Sequence, residues 1–244
     1  PGHGTSETGA ESLLYINTAI ELWKAGRIDA IVTAPVSKSL IEKSGTPFSG
    51  HTEYLAKEIG EKNPFMMMYS ERFRVILCTT HIPVCHVEES LSAERIADVI
   101  MAGRRALSAI DGKEPKIAVC GLDPHSGDDG AIGAFDKEIT THAIAIARKH
   151  GAFVSGPFAA DTLFLPHRWQ EYNMVVAQYH DQGLIPFKML AFDTGVNVTL
   201  GLSLVRTSVD HGTAFDIAWQ GKAQHASMLA AIRLASVIAD QTVP

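Results

Sequence analysis

Three histidines follow three apolar runs, each within one to five residues of the run's end. Arg74–Cys78 (RVILC) leads into Thr79-Thr80-His81-Ile82-Pro83, Lys116–Cys120 (KIAVC) into Gly121-Leu122-Asp123-Pro124-His125, and Met174–Tyr179 (MVVAQY) into His180-Asp181-Gln182-Gly183. Short apolar runs bounded by Gly or Pro read as buried strands, and open α/β sheets bind ligands beyond the carboxyl ends of their strands. Imidazoles His81, His125 and His180, delivered there on Gly/Pro-punctuated loops, could converge on one divalent cation and leave positions open for substrate oxygens. For any one of them, capping a strand is the ordinary alternative. His3, His86, His142, His150, His167 and His225 lack this setting and are read as surface or structural residues.

Two further groups suit an anionic substrate. Gly50-His51-Thr52-Glu53 opens a helix, so His51, the Thr52 hydroxyl and free backbone N–H groups face its positive end. Lys188, Asn197 and Arg206 add an ammonium, an amide and a guanidinium around a strand-rich segment, the donor types that bind phosphate or carboxylate. A plain helix cap and solvated surface charge are the ordinary alternatives. Asp210-His211-Gly212-Thr213-Ala214-Phe215-Asp216-Ile217-Ala218 is a Gly-containing stretch with a weak generic signal for a nucleotide. The chain has no P-loop, no G-x-S-x-G elbow and no H-E-x-x-H, which lowers the kinase, hydrolase and metalloprotease readings.

The elements that must position these residues alternate. Helices are predicted over 11–25, 36–43, 51–59, 92–108 (with Ser92 as N-cap), 136–150 and 227–239, and strands over 28–33, 74–78, 116–120, 174–179 and 196–205. That alternation predicts an α/β protein with a largely parallel or mixed sheet. The 244 residues are 46% apolar and 20% charged, an ordinary globular balance that excludes disorder, collagen and coiled coil. A net charge of −6 argues against nucleic acid or an anionic membrane as partner, and no apolar run is long enough to span a bilayer. Cys78, Cys85 and Cys120 form no C-x-x-C pair; Cys78 and Cys120 are expected in the core, and a reducing cytoplasm is the expected setting.

Seven blocks in order carry a resemblance. Thr33-Ala34-Pro35-Val36-Ser37-Lys38, Gly50-His51-Thr52-Glu53, Thr79-Thr80-His81-Ile82-Pro83, Gly121-Leu122-Asp123-Pro124-His125, Ala160-Asp161-Thr162, Tyr179-His180-Asp181-Gln182-Gly183 and Arg206-Thr207-Ser208-Val209-Asp210-His211-Gly212-Thr213-Ala214 resemble the 4-hydroxythreonine-4-phosphate dehydrogenase family. The resemblance implies an isocitrate/isopropylmalate dehydrogenase-like fold of two α/β/α domains with a cleft between them, in a homodimer. Residues 1–45 and 213–244 would be the remainder of a first domain whose N-terminal part precedes this start, and 46–212 the second. It implies a metal on His81, His125 and His180, zinc first, with Mg, Mn or Co as alternatives. His51, Thr52, Lys188, Asn197 and Arg206 would bind a small phosphorylated hydroxy acid, with Asp161 and Asp181 lining the same site. His211, Gly212, Thr213 and Asp216 would belong to the adenine-side loop for NAD, with NADP as the alternative.

The implied reaction oxidises 4-phosphooxy-L-threonine at C3 and decarboxylates it to 3-amino-2-oxopropyl phosphate, within pyridoxal phosphate biosynthesis. Lys188 is the candidate general base. Rival readings are the same chemistry on D-threonate or D-erythronate 4-phosphate or an aromatic cis-dihydrodiol, a catalytically silent small-molecule binder, and a three-histidine metallohydrolase.

Overall fold

A computed structural model describes residues 2–242. In chain order it contains α1 (Ser6–Lys24), β1 (Ala30–Thr33), α2 (Lys38–Lys43), α3 (His51–Ile59), β2 (Phe65–Tyr69), β3 (Arg74–Leu77), α4 (Ala93–Asp111), β4 (Lys116–Cys120), α5 (Thr141–Lys149), β5 (Phe153–Phe158), α6 (Ala160–Leu163), α7 (Pro166–Trp169), β6 (Met174–Ala177), α8 (His180–Ala191), β7 (Val196–Leu200), β8 (Val205–Val209) and α9 (Ala226–Thr242). Local chemistry sets several ends. Thr5 and Thr8 close a capping box on α1, and the Ser92 hydroxyl accepts from Arg95 N at the start of α4. Gly60 and Gly112 take the left-handed conformation that ends α3 and α4.

The chain forms two compact units, 1–64 with 193–244, and 65–192. In the first, β8 pairs parallel with β1 and antiparallel with β7, and α9 packs on β8 and β1. Its core includes Leu13, Ile16, Ile20, Ile41, Phe48 and Leu55. In the second the strand order is β2-β3-β6-β4-β5, with β2 antiparallel to β3 and the other pairs parallel. There Phe73, Val75, Leu77, Trp169, Leu184 and Phe187 form a core cluster.

The units divide elsewhere than at 45/46 and 212/213, because β7 and β8 are hydrogen-bonded into the sheet of β1. The segment 196–205 resolves into two strands of a hairpin, and 136–150 into one π-helical turn over Asp136–Thr140 followed by α5. His180 stands on the first turn of a helix rather than in a loop. Gly183 suggested a loop, but Leu184, Phe187 and Ala191 fall at helical spacing and are buried. A Cβ at Gly183 would come within 2.7 Å of Leu77 Cδ2 and 2.9 Å of Val75 Cγ2, so the missing side chain is what lets α8 lie on the strands. Cys78 and Cys120 are buried as expected, and burial pushes the Cys78 thiol up to about 12. Among the described residues no helix is long and apolar enough to cross a membrane.

Candidate active site

In the second unit the frame is built by two glutamines that sequence reasoning missed. Gln178, fully buried at the end of β6, donates from Nε2 to Cys120 O at 2.8 Å, and its backbone N–H bonds Gln182 Oε1 at 2.7 Å. Gln182 Nε2 donates to Gly121 O at 2.8 Å, and the Thr79 hydroxyl to Gln178 O at 2.8 Å. These bonds lock the carboxyl ends of β3, β4 and β6 to one another. The available signal was a glutamine closing an otherwise apolar strand, since burying an amide is costly unless it is hydrogen-bonded, as Nε2 is here while Oε1 has no partner.

On that frame His81, four residues past β3, and His180, first in α8, bring their ring centroids to 5.9 Å. They line a cavity of about 300 Å³ with Thr80, Val84, Tyr179 and Asp181. His180 Nδ1 lies 2.7 Å from the Asp181 carboxylate, a contact that orients the ring and leaves Nε2 as the nitrogen not engaged by Asp181. His125 is not among the residues lining that cavity. It lies past β4 in a run of left-handed residues, His125 (φ 54°), Ser126 (53°), Gly127 (79°), Asp128 (45°) and Asp129 (54°). Fully buried Asp136 anchors the start of this run, accepting from Leu122 N and Asp123 N at 2.9 Å and from Thr140 Oγ1 at 2.7 Å. Among the described residues no group of three His, Cys, Asp or Glu is placed to hold a metal ion. Of the trio expected from sequence, His81 and His180 are brought together and His125 is not placed with them.

Asp161, in the first turn of α6, is exposed and accepts from Thr162 N at 2.8 Å. Lys188 is exposed on α8, seven residues after Asp181 and so on nearly the same helix face, about 10 Å along the axis.

The first unit holds a polar cluster inside its sheet. Arg206, 4% exposed on β8, donates from Nη2 to Thr33 Oγ1 at 2.7 Å and from Nη1 to Thr199 Oγ1 at 3.1 Å; Nε has no partner. No carboxylate lies within 4.0 Å of it among the described residues, and burial pulls its pKa down to about 10, with Glu53 opposing part of the shift. Thr199 Oγ1 also meets Thr52 Oγ1 at 3.3 Å. His51 begins α3, edge-on to Phe48; burial first, then Arg206 and Lys38, lower its pKa to about 4, so the ring is neutral, with Nε2 buried and unpaired. Asn197 Oδ1 is likewise buried without a partner. His51, Thr52 and Arg206 thus come together as expected. Lys38 and Glu53 were missed: their side chains crowd Gly50, where a Cβ would lie 3.3 Å from Lys38 Nζ and 2.8 Å from Glu53 Oε2. A buried guanidinium with a free Nε donor is the kind of group that can pair with an anion.

Of the nucleotide candidates, Thr213 lines a second cavity in this unit, of about 250 Å³, with His3, Gly4, Thr8, Ser12 and Phe215. His211 and Asp216 are exposed, and a Cβ at Gly212 would meet nothing within 4 Å, so the loop offers bare backbone to open space. Hydroxyls around a cleft beside an open glycine-containing loop fit the sugar and phosphates of a dinucleotide.

Residues 1–235 match the family described as pyridoxal phosphate biosynthetic protein PdxA. The chain is 46% identical to a 4-hydroxythreonine-4-phosphate dehydrogenase of Desulforapulum autotrophicum over 99% of its own length and 71% of that protein's. It is 42% identical to a D-threonate 4-phosphate dehydrogenase of Salmonella typhimurium, over 97% and 73%. A crystal structure of 4-hydroxythreonine-4-phosphate dehydrogenase from Klebsiella pneumoniae superposes with TM-score 0.86 at 42% identity, covering 98% of this chain and 72% of that one. A β-decarboxylating dehydrogenase from Thermococcus kodakarensis, at 15% identity and TM-score 0.51 over 90% and 67%, shares the fold. The expected fold relationship is therefore found.

Proposed function

For this chain, which belongs to the PdxA family of pyridoxal phosphate biosynthetic proteins, we propose oxidation of 4-phosphooxy-L-threonine at C3 with loss of CO2, giving 3-amino-2-oxopropyl phosphate. The family and the names of its relatives support a dehydrogenase. The observation that carries the substrate class is Arg206: a guanidinium buried among threonine hydroxyls, with no carboxylate within 4.0 Å among the described residues, is matched by a phosphate ester.

Anion recognition is assigned to the first unit. Arg206 supplies charge and Nε as donor; His51, neutral at working pH, supplies a ring nitrogen that does not repel the guanidinium; Thr52 and Asn197 supply the remaining polar contacts. In the second unit Asp181 orients His180, and Gln178 and Gln182 hold the strand ends that carry it. Lys188 is the proposed general base, and Asp161 is kept as a residue lining the site. When bound, a divalent metal on His81, His125 and His180 (zinc first, with Mg, Mn or Co as alternatives) supplies a Lewis acid for the substrate oxygens, and NAD at the 211–216 loop, with NADP as alternative, supplies the hydride acceptor.

The homodimer and the cytoplasmic setting belong to the same proposal. Ile185, Met189 and Phe192 make an exposed apolar row along α8 that supports a partner subunit, and three free cysteines suit a reducing compartment.

The test is NADH formation from 4-phosphooxy-L-threonine by the full chain, with and without chelator. Chelator-sensitive NADH supports substrate, cofactor and metal together. NADH from D-threonate 4-phosphate alone would replace the substrate and favour the second reading, which the 42% identity to the Salmonella typhimurium enzyme supports.

A further inference from the structure

Trp219 is placed in a way that its own loop does not explain. Gln220 N donates to Ile217 O at 3.1 Å, Ala218 has φ −57° and ψ 131°, and Trp219 has φ +64°. Those angles make a type II turn, whose third residue is ordinarily glycine because only glycine takes positive φ without strain. A large aromatic residue stands there instead, and its side chain is not compensated by packing: Trp219 is 90% exposed. Gln220 Nε2 donates to Asp216 O at 2.6 Å and ties the turn to the segment before it. That segment carries Thr213 and Phe215 at the wall of the 250 Å³ cavity, while Gly221, just beyond, borders open space. Strain and exposure combined at one residue point to a ligand that covers it.

We propose that Trp219 is the residue on which the adenine of the dinucleotide stacks. The inference rests on the reading of the 211–216 loop as the NAD site and adds to it the group that recognises the base. A purine presents a flat π face that an indole matches whatever hydrogen bonds the base edge makes, so a rigid turn that holds the indole out in solvent presents a ready platform. Phe215, 43% exposed and four residues before Trp219, puts an aromatic ring at the cavity wall.

The experiment follows binding of ADP-ribose, AMP and nicotinamide mononucleotide to the full chain, by tryptophan emission and by calorimetry. Trp169 is buried and Trp23 partly buried, so quenching by iodide isolates Trp219. ADP-ribose and AMP are expected to quench this emission and to protect it from iodide. Trp219→Gly, which relieves the turn and so folds, is expected to bind ADP-ribose about ten- to a hundred-fold more weakly, the loss when one base–aromatic stack is removed. Trp219→Phe is expected to restore most of the affinity. Equal affinity in wild type and Trp219→Gly overturns the inference and leaves the NAD reading intact. Absence of ADP-ribose binding by the wild type overturns both, and quenching by nicotinamide mononucleotide but not AMP overturns the adenine assignment.

Discussion

Replacing Arg206 by methionine separates what the guanidinium does for binding from what it does for folding. Its pKa falls from 12.5 to about 10 because burial penalises the cation, so keeping it charged at neutral pH costs about 3 kcal/mol. Its bonds to Thr33 and Thr199 return about 1 kcal/mol each. Methionine keeps most of the aliphatic stem, and Thr199 Oγ1 retains Thr52 Oγ1 as a partner at 3.3 Å. The variant should therefore be as stable as the wild type or better by roughly 1 kcal/mol, about 2–4 °C in Tm for a chain of this size. Inorganic phosphate at a hundred times its Kd should stabilise the wild type by about 2.7 kcal/mol and leave Arg206→Met unmoved. Thermal denaturation with and without phosphate measures both quantities. A fall of more than about 10 °C in the variant, or an undiminished phosphate shift, would show that Arg206 holds the sheet together and that the ligand reading is mistaken.

Three other outcomes are open to measurement. His51 has its pKa lowered from 6.5 to about 4, so the unfolded chain binds the extra proton first; stability from this group is complete above about pH 6.5 and declines as pH falls toward 4, by roughly 2–3 kcal/mol. Urea denaturation at pH 7.5 and 4.5 should show that loss in the wild type and a smaller one in His51→Gln, and parallel pH slopes would refute it. His180→Ala should abolish metal retention and turnover while far-UV circular dichroism stays unchanged, since the ring is partly exposed; wild-type rates in metal-free buffer would end the histidine-site proposal. Gly183→Ala should destabilise by about 1–3 kcal/mol, because its Cβ would press on Leu77, Val75 and Ala177, and a neutral result would mean α8 shifts freely on the strands.

The sequence made the strands leading to His81, His125 and His180 legible because each is an uninterrupted apolar run with a breaker after it. It also made α3 legible to the residue, from Gly50 to Gly60. It hid β2 and β5 for opposite reasons. Phe65–Tyr69 is rich in methionine, which carries little strand preference, and Phe153–Phe158 contains Gly156-Pro157, tolerated because β5 is the edge of its unit's sheet. Arg206 was expected just past a strand; it lies within β8 and pairs across the ladder with Thr199. A charged residue in a strand pattern reads as an edge or an exit unless it is known that two threonines face it. Asp136, Gln178 and Gln182 escaped for the same reason: their function is to satisfy backbone groups of segments far away in the chain, and no local spacing records that.

Strand order brings all three histidine-bearing strand ends side by side, and the path after β4 sets His125 apart from the other two. A residue just past a strand inherits the rigidity of the ladder behind it and is freed from pairing, so chemistry collects there; the chain order of such residues says nothing about who sits next to whom. β3 and β6 are direct neighbours, and His81 and His180 follow them by four and three residues. β4 flanks β6 on its other side, and His125 stands five residues past it, at the start of a left-handed run that the sheet alone would not produce. His, Asp and Gly are the residue types that tolerate this conformation, and His125, Gly127, Asp128 and Asp129 supply four of its five positions. At about 1–2 kcal/mol for each non-glycine residue, the run persists because Asp136 ties down the backbone on its inner side. The composition of Asp123–Gly130 is thus chosen for a backbone path rather than for a motif, and that path, not the spacing of the histidine, decides where the third imidazole is delivered.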